Sequence, residues 1–202
     1  MQIRTLTEED LDAVVDIHMY AFRDHISSLL GKRYNRAFIG WFIKDECIHL
    51  VAVDDEEKVA GYYFAAPFGY QKEMNKFLFP IAAVEMLKRP WVFFNKKILK
   101  TAWIRFKIVF GLTKFIDTTK AKYPGKLMSM VGQGLRKDAV GKGVSLALMT
   151  AAHEEARKMG YDYARGTIYK TNIIARNIHE KLGYKPEPET SSFTIGYYLK
   201  LK

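Results

Sequence analysis

The chain is poor in cysteine. Cys47 stands alone among 202 residues, so no intrachain disulfide can form and no cysteine cluster can hold a metal. No metal is expected. Long apolar runs are also missing, since no stretch approaches the ~18 residues of a spanning helix. The opening MQIRTLTEEDL is acidic and lacks the apolar segment of a secretory signal, which makes a cytoplasmic protein the expectation. There is no internal repeat and no low-complexity tract. The length suits one domain with a sizeable core and argues against two full domains.

Most of the chain also lacks net charge. The formal charge is +10, but Tyr70 to Lys126 carries 13 Lys and Arg against 3 Asp and Glu, and the rest carries 19 of each sign. The same segment holds 11 of the 28 aromatic residues. A neutral body with one basic, aromatic segment points to a local task for that segment. Nucleic acid is not an expected partner, because no recognised motif accompanies the charge.

The order of elements begins as α+β. Ile3-Arg4 reads as a short strand, and Thr7-Glu8-Glu9-Asp10 resembles a capping box before a helix carrying Leu11, Val14, Val15, His18 and Phe22. A second helix is expected over roughly Lys32 to Lys44. A strand hairpin follows, turning at Asp54-Asp55-Glu56-Glu57, a turn weakly specified because it lacks glycine. Gln71 to Phe115 reads as helical, broken at Pro80 and Pro90. The apolar residues Ile98, Ala102, Phe106 and Val109 are interleaved there with Lys and Arg. The segment suits amphipathic helices packed on the body, a membrane-surface helix, or a basic lid over an anionic substrate. The expectation is one domain over 1–202 with a basic aromatic helical insertion at about 71–120.

Chemistry is expected after this insertion. Leu127 to Leu135 reads as a strand with Gly132 and Gly134, which suggest a bulge or a close backbone approach. A basic turn follows (Arg136, Lys137, Asp138), then Val140-Gly141-Lys142-Gly143-Val144-Ser145 and a helix with Val144, Leu148, Ala152 and Met159 on one stripe. Strand, glycine turn and helix offer free backbone N–H groups and a positive helix end to an anion such as a pyrophosphate. Asp162 to Tyr169 is the next strand. Asn172 is placed as the N-cap of a helix whose Ile174, Ile178 and Leu182 are expected to face inward, and Ser191 to Leu201 is the last strand.

Two stretches together, Val140-Gly-Lys-Gly-Val-Ser145 and Asn172-Ile-Ile-Ala175-Arg-Asn-Ile-His179-Glu-Lys-Leu-Gly183-Tyr184, resemble the GNAT superfamily of acyl-CoA-dependent N-acetyltransferases. The resemblance covers roughly 1–69 and 127–201. It implies a three-layer α/β fold around a mixed, mostly antiparallel sheet whose fourth and fifth strands splay apart. It implies acetyl-CoA as acyl donor, a small-molecule amine as acceptor and direct transfer in a ternary complex. Cofactor contacts would come from Leu135, Arg136, Lys137, Val140, Gly141, Lys142, Gly143, Val144, Ser145 and Asn172. Where the family often has Arg or Gln, this chain has Val140, so the grip would rest on backbone N–H groups, with Lys137, Lys142 and the Ser145 hydroxyl as helpers. The family's proton-donating tyrosine is His179 here, with Tyr169 and Tyr184 as further donors. Leu127 to Leu135 contains no acidic residue, so no general base is identified. The charge of the insertion suits an anionic acceptor such as a nucleotide-linked amino sugar, or contact with an anionic membrane. A catalytically weak acyl-CoA-binding or sensor protein stays open, as does a homodimer.

Overall fold

The computed structural model describes residues 1–23, 25–89, 103, 107, 122–188 and 191–202. Seven strands form one sheet: β1 (Gln2–Thr5), β2 (Ile48–Val53), β3 (Val59–Pro67), β4 (Leu127–Leu135), β5 (Tyr163–Tyr169), β6 (Lys185–Pro186) and β7 (Thr194–Lys200). Their order is β1-β2-β3-β4-β5-β7-β6. Every neighbouring pair is antiparallel except β4 and β5. The helices are α1 (Leu11–Ala21), α2 (Ile26–Leu29), α3 (Lys32–Gly40), α4 (Gln71–Leu87), α5 (Val144–Lys158) and α6 (Ile173–Lys181).

The alternation of side chains along a strand divides the core into two layers. From β3, Tyr62, Phe64 and Ala66 join α1, α3 and α4 on one face, where Phe42 stacks on Phe64 at 5.1 Å. Tyr63 and Ala65 face the other way, against Leu148, Met149 and Ala152 of α5. With helices on both faces, β3 is buried almost throughout and reads as a continuous apolar run. This is the expected three-layer arrangement around a mixed, mostly antiparallel sheet.

Local chemistry explains the ends of the elements. The Asp10 carboxylate accepts from the Thr7 N–H (2.9 Å) and hydroxyl (3.0 Å), and Arg4 grips it from β1. The hairpin turn has no glycine, so Glu57 adopts φ 60. Asp54 offsets that strain by accepting the N–H groups of Glu56 (3.0 Å) and Lys58 (2.9 Å).

Three expectations are corrected. The second helix ends at Gly40 rather than near Lys44, and Trp41 and Phe42 turn into the core instead. Pro80 does not break α4, which runs through it. Both Pro80 and Lys76, whose carbonyl loses its partner, are exposed, so water can serve the lost bond. Ile174 does not face inward, being 70% exposed. The inward stripe of α6 is Ala175, Ile178, His179 and Leu182, an i, i+3, i+4, i+7 set. Pro90, Ile98, Ala102, Phe106 and Val109 lie outside the described residues. Lys107 sits 5.4 Å from the Trp103 ring. No described helix is long and apolar enough to cross a membrane.

Two buried histidines are held neutral in the two layers. His18 shares a 2.6 Å hydrogen bond with the Tyr62 hydroxyl, and His153 one of 2.6 Å with the Tyr184 hydroxyl. Burial pushes each pKa down to about 4. The unfolded chain protonates both near pH 6.5. Their contribution is therefore complete above pH 6.5 and is lost as pH falls towards 4. Denaturant unfolding between pH 7 and 4.5 should show a loss on the order of a few kcal/mol, and His153→Gln should flatten that slope. Separately, a Cβ on Gly134 would lie 2.5 Å from the ring of fully buried Tyr62. Gly134→Ala should cost about 1–3 kcal/mol by overpacking, read as a lowered denaturation midpoint.

Candidate active site

Parallel pairing of β4 with β5 covers three residue pairs, ending at Ser129↔Arg165. Beyond that point β4 runs on to Leu135 and β5 to Tyr169 with no ladder pairing between them among the described residues. The register of β4 against β3 shifts by one at Val131, between the Phe64↔Gly132 and Ala65↔Met130 pairs. That bulge bends β4 away from β5. The fourth and fifth strands are splayed, as the resemblance implies.

The ladder pattern shows which backbone groups open into the gap. Arg136 N–H donates to Ala60 O at 2.8 Å, while Leu135 and Gln133 stand opposite Gly61 and Tyr63. Hydrogen-bonded and non-bonded pairs alternate in an antiparallel ladder. The N–H and C=O of Leu135 and Gln133 therefore point away from β3 into the splay. On β5, Lys170 N–H donates to Phe193 O, so Thr167 and the Tyr169 N–H face the gap from the other side, while the Tyr169 carbonyl accepts from Asn172 N–H at 2.9 Å. These two unpaired edges suit an extended, amide-bearing arm lying between them.

A cleft of about 640 Å³ occupies the splay. Its walls include Phe22 and His25 from the α1–α2 connection, Tyr63 from β3, Met130 and Gln133 from β4, Tyr169 from β5, and Asn172, Ala175 and His179 around α6. His25 and Tyr169 meet edge to face at 6.1 Å. Among the described residues lining the cleft there is no carboxylate and no Lys or Arg.

The glycine turn follows directly from β4. Gly141 and Gly143 adopt φ of 82 and 80, and a Cβ added to either would meet nothing within 4 Å. Conformation rather than space demands glycine there. The first bond of α5 runs from Ala147 N–H to Gly143 O. Among the described residues, the N–H groups of Gly141, Gly143, Val144 and Ser145 have no backbone partner. Free N–H groups at the start of a 15-residue helix fit a phosphate group. Val140 is 57% exposed beside them, and the exposed Lys137 and Lys142 form no ion pair among the described residues.

Two expected contacts are already committed elsewhere. The Arg136 guanidinium binds Asp138 (2.6 and 2.9 Å) and Asp54 (2.6 Å), its N–H serves Ala60 and its C=O serves Ala139. It ties the turn to the hairpin and has nothing left for a ligand. The Ser145 hydroxyl donates to Gln133 (3.0 Å), and Gln133 donates back to the Ser145 carbonyl (2.9 Å). That hydroxyl proton is therefore turned to β4 and away from any phosphate, and Gln133 has little freedom to orient a water.

Around α6, the Asn172 side chain accepts from Ala175 N–H at 3.0 Å, so its cap role is structural. His179 is 6% exposed. Its Nδ1 lies 2.7 Å from the Ala175 carbonyl oxygen, while Nε2 is buried without a partner among the described residues. Burial pushes its pKa down, against the opposing pull of the Ala175 carbonyl. A neutral imidazole with its proton on a carbonyl is not arranged as the expected proton donor. Tyr169 is 52% exposed at the cleft mouth. Tyr184 is buried on His153 and does not line the cleft. Sequence reasoning missed the cleft roles of Phe22, His25 and Tyr63, because nothing local marks residues that only the fold brings together.

No family model matches the sequence, and no curated protein matches it. Solved structures do. The chain is similar to ribosomal-protein-alanine N-acetyltransferase from Brucella melitensis, at TM-score 0.62 and 15% identity over 99% of each chain. An N-acetyltransferase from Staphylococcus aureus Mu50 gives TM-score 0.59 and 15% identity over 100% of this chain and 98% of that one. A GNAT superfamily phosphinothricin acetyltransferase from Sinorhizobium meliloti, solved in complex with AcCoA, gives TM-score 0.61 and 12% identity over 98% of this chain and 87% of that one. The fold is that of the GNAT acetyltransferases.

If Arg136 ties the turn to the hairpin, Arg136→Gln and Asp54→Asn should each lower the denaturation midpoint modestly, given the exposure of the pair. The double variant should lose clearly less than the sum, as a double-mutant cycle in denaturant would show.

Proposed function

We propose that this protein is an acyl-CoA-dependent N-acetyltransferase that moves the acetyl group of acetyl-CoA to a primary amine by direct transfer in a ternary complex. The observation carrying this reading is the continuity of two features. The unpaired edges of β4 and β5 form a cleft, and β4 leads straight into a glycine turn with free N–H groups. An acyl-CoA has the matching parts, an amide-bearing pantetheine arm and a pyrophosphate.

In this reading the backbone of Leu135 and Lys137 serves the arm. Gly141, Gly143, Val144 and Ser145 hold the pyrophosphate by their N–H groups. Lys137 and Lys142 add charge, Val140 flanks the grip, and Asn172 contacts the arm from the start of α6. Arg136 contributes by fixing the turn. When bound, acetyl-CoA supplies an activated acyl carbon. In the same reading, Tyr169 and His179 would be the cleft residues that handle protons.

For the acceptor, the charge of Tyr70 to Lys126 supports a small anionic amine, such as a nucleotide-linked amino sugar. A basic segment would draw in such an acceptor and repel polyamines. Peripheral contact with an anionic membrane rests on the same charge. The cleft walls favour one second reading. Because no described lining residue is a carboxylate, a protein that binds acyl-CoA without rapid turnover, as a sensor, also fits.

Acetyl-CoA at a hundredfold excess over its Kd should stabilise the fold by about 2.7 kcal/mol, a rise of several degrees in Tm. No rise would overturn the reading. Thiol release across a panel of anionic amines separates the enzyme from the sensor. Neutralising Lys96, Lys97, Lys100 and Lys107 should raise the KM for an anionic acceptor and leave the KM for acetyl-CoA unchanged. Val140→Arg would add a charge-assisted contact at an exposed position, and acetyl-CoA affinity should rise about fivefold, roughly 1 kcal/mol.

A further inference from the structure

Helix α4 is apolar on two sides. Its inner side puts Met74 and Leu78 into the core, with Ile81 and Met86 packed against it. The outer side of such a helix is normally polar. Here Phe77, Pro80, Val84 and Leu87 are all exposed, and their i, i+3, i+7, i+10 spacing sets them along one stripe. Leu87 is 73% exposed, Phe77 48% and Val84 42%. Single exposed apolar residues need no explanation, but a contiguous stripe marks an interaction surface. The charges beside it are mostly of one sign. At about 100° per residue, Lys72 and Lys88 fall on opposite edges of the stripe and Lys76 within it. Lys72 and Lys76 are exposed and form no ion pair among the described residues. Lys88 reaches buried Glu85 at 3.2 Å, with its own side chain 55% exposed. Glu73 is the one exposed acid of α4.

A partner for this face must cover apolar groups and accept several lysines at once. A second copy of the chain meets the first condition and fails the second, because a two-fold interface would bring the same lysines together. An anionic lipid surface meets both. Apolar side chains enter the boundary between headgroups and acyl chains, and lysine stems run along them to reach lipid phosphates. The net charge of +10 over Tyr70 to Lys126 adds attraction to the same surface. Resting on the peripheral membrane contact drawn above from charge alone, we propose that the outer face of α4 is the docking surface for an anionic bilayer. Phe77, Val84 and Leu87 enter the headgroup boundary, and Lys72, Lys76 and Lys88 meet lipid phosphates. The helix then lies in the plane of the surface, as suits a chain in which no described helix can cross a membrane.

Co-sedimentation with vesicles of phosphatidylcholine, with and without phosphatidylglycerol, tests the proposal. The protein should bind the mixed vesicles and not the neutral ones, and less at high salt. Lys72→Gln and Lys76→Gln should each weaken binding about fivefold. Phe77→Glu and Leu87→Glu should each weaken it about tenfold or more and leave the Tm unchanged. Phe193→Glu makes the same charge change at a residue 75% exposed on another element, and it should leave binding unchanged. Equal weakening in Phe193→Glu would reduce the effect to net charge and overturn the docking face. Unchanged binding in both α4 glutamate variants would overturn it too. If neutralising Lys96, Lys97, Lys100 and Lys107 then abolished binding, the membrane contact would stand without α4. A dimer that Leu87→Glu dissociates would assign the face to a second copy, and a Tm lowered by both glutamate variants would assign it to the chain's own packing; either overturns the proposal. If the unaltered protein binds neither vesicle, the membrane reading fails first and the docking face falls with it, while the acetyl-CoA reading keeps its own test in the Tm.

Discussion

The parallel ladder between β4 and β5 stops after three residue pairs, and the rest of the site depends on that stop. Backbone N–H and C=O groups need partners when they leave water. Two strands that begin side by side and then diverge leave two edges open within the same sheet. The divergence is fixed by the bulge at Val131, and by Gly134, whose missing side chain lets the Tyr62 ring lie against the strand. The far end of β4 is anchored twice. Gln133 and Ser145 lock it to the start of α5, and Arg136 locks the following turn to the β2–β3 hairpin. A short ladder thus yields a cleft, and its anchors hold the glycine turn at one end.

The cleft works with dipoles rather than fixed charges. Its described walls carry no ionised side chain, and burial pushes His179 towards the neutral form. Beyond its β4 end, the free N–H groups of Gly141, Gly143, Val144 and Ser145 and the exposed Lys137 and Lys142 give the turn positive character. In such surroundings a lone pair or an N–H counts for more than it would in water.

Much of this was legible in the sequence, for identifiable reasons. Gly141 and Gly143 are needed for positive φ, Asn172 is needed to cap α6, and the apolar stripe of α5 has a clear helical period. Local signals of that kind survive without knowledge of the fold. The tertiary commitments were not legible. Nothing near Arg136 announces Asp54, which lies 82 residues away, so Arg136 looked free to meet a ligand. Ser145 looked like a phosphate contact until Gln133 claimed its hydroxyl. Ile178 and Leu182 face inward as expected, but Ile174 does not, because the inward stripe of α6 begins one residue later, at Ala175. His25 and Phe22 become cleft residues only when α1 packs against the sheet.

The similar folds belong to proteins whose names give quite different acceptors, a ribosomal-protein alanine and phosphinothricin. What this chain shares with them is the fold. In the proposed function, the splay and the turn together form one cofactor site. Amide hydrogen exchange with and without acetyl-CoA tests it directly. Added protection is expected at Leu135, Gly141, Gly143, Val144 and Ser145, with little change at Arg136, whose N–H is already bonded to Ala60. Protection that spares these amides, or that arises only on the far face of the sheet, would contradict it.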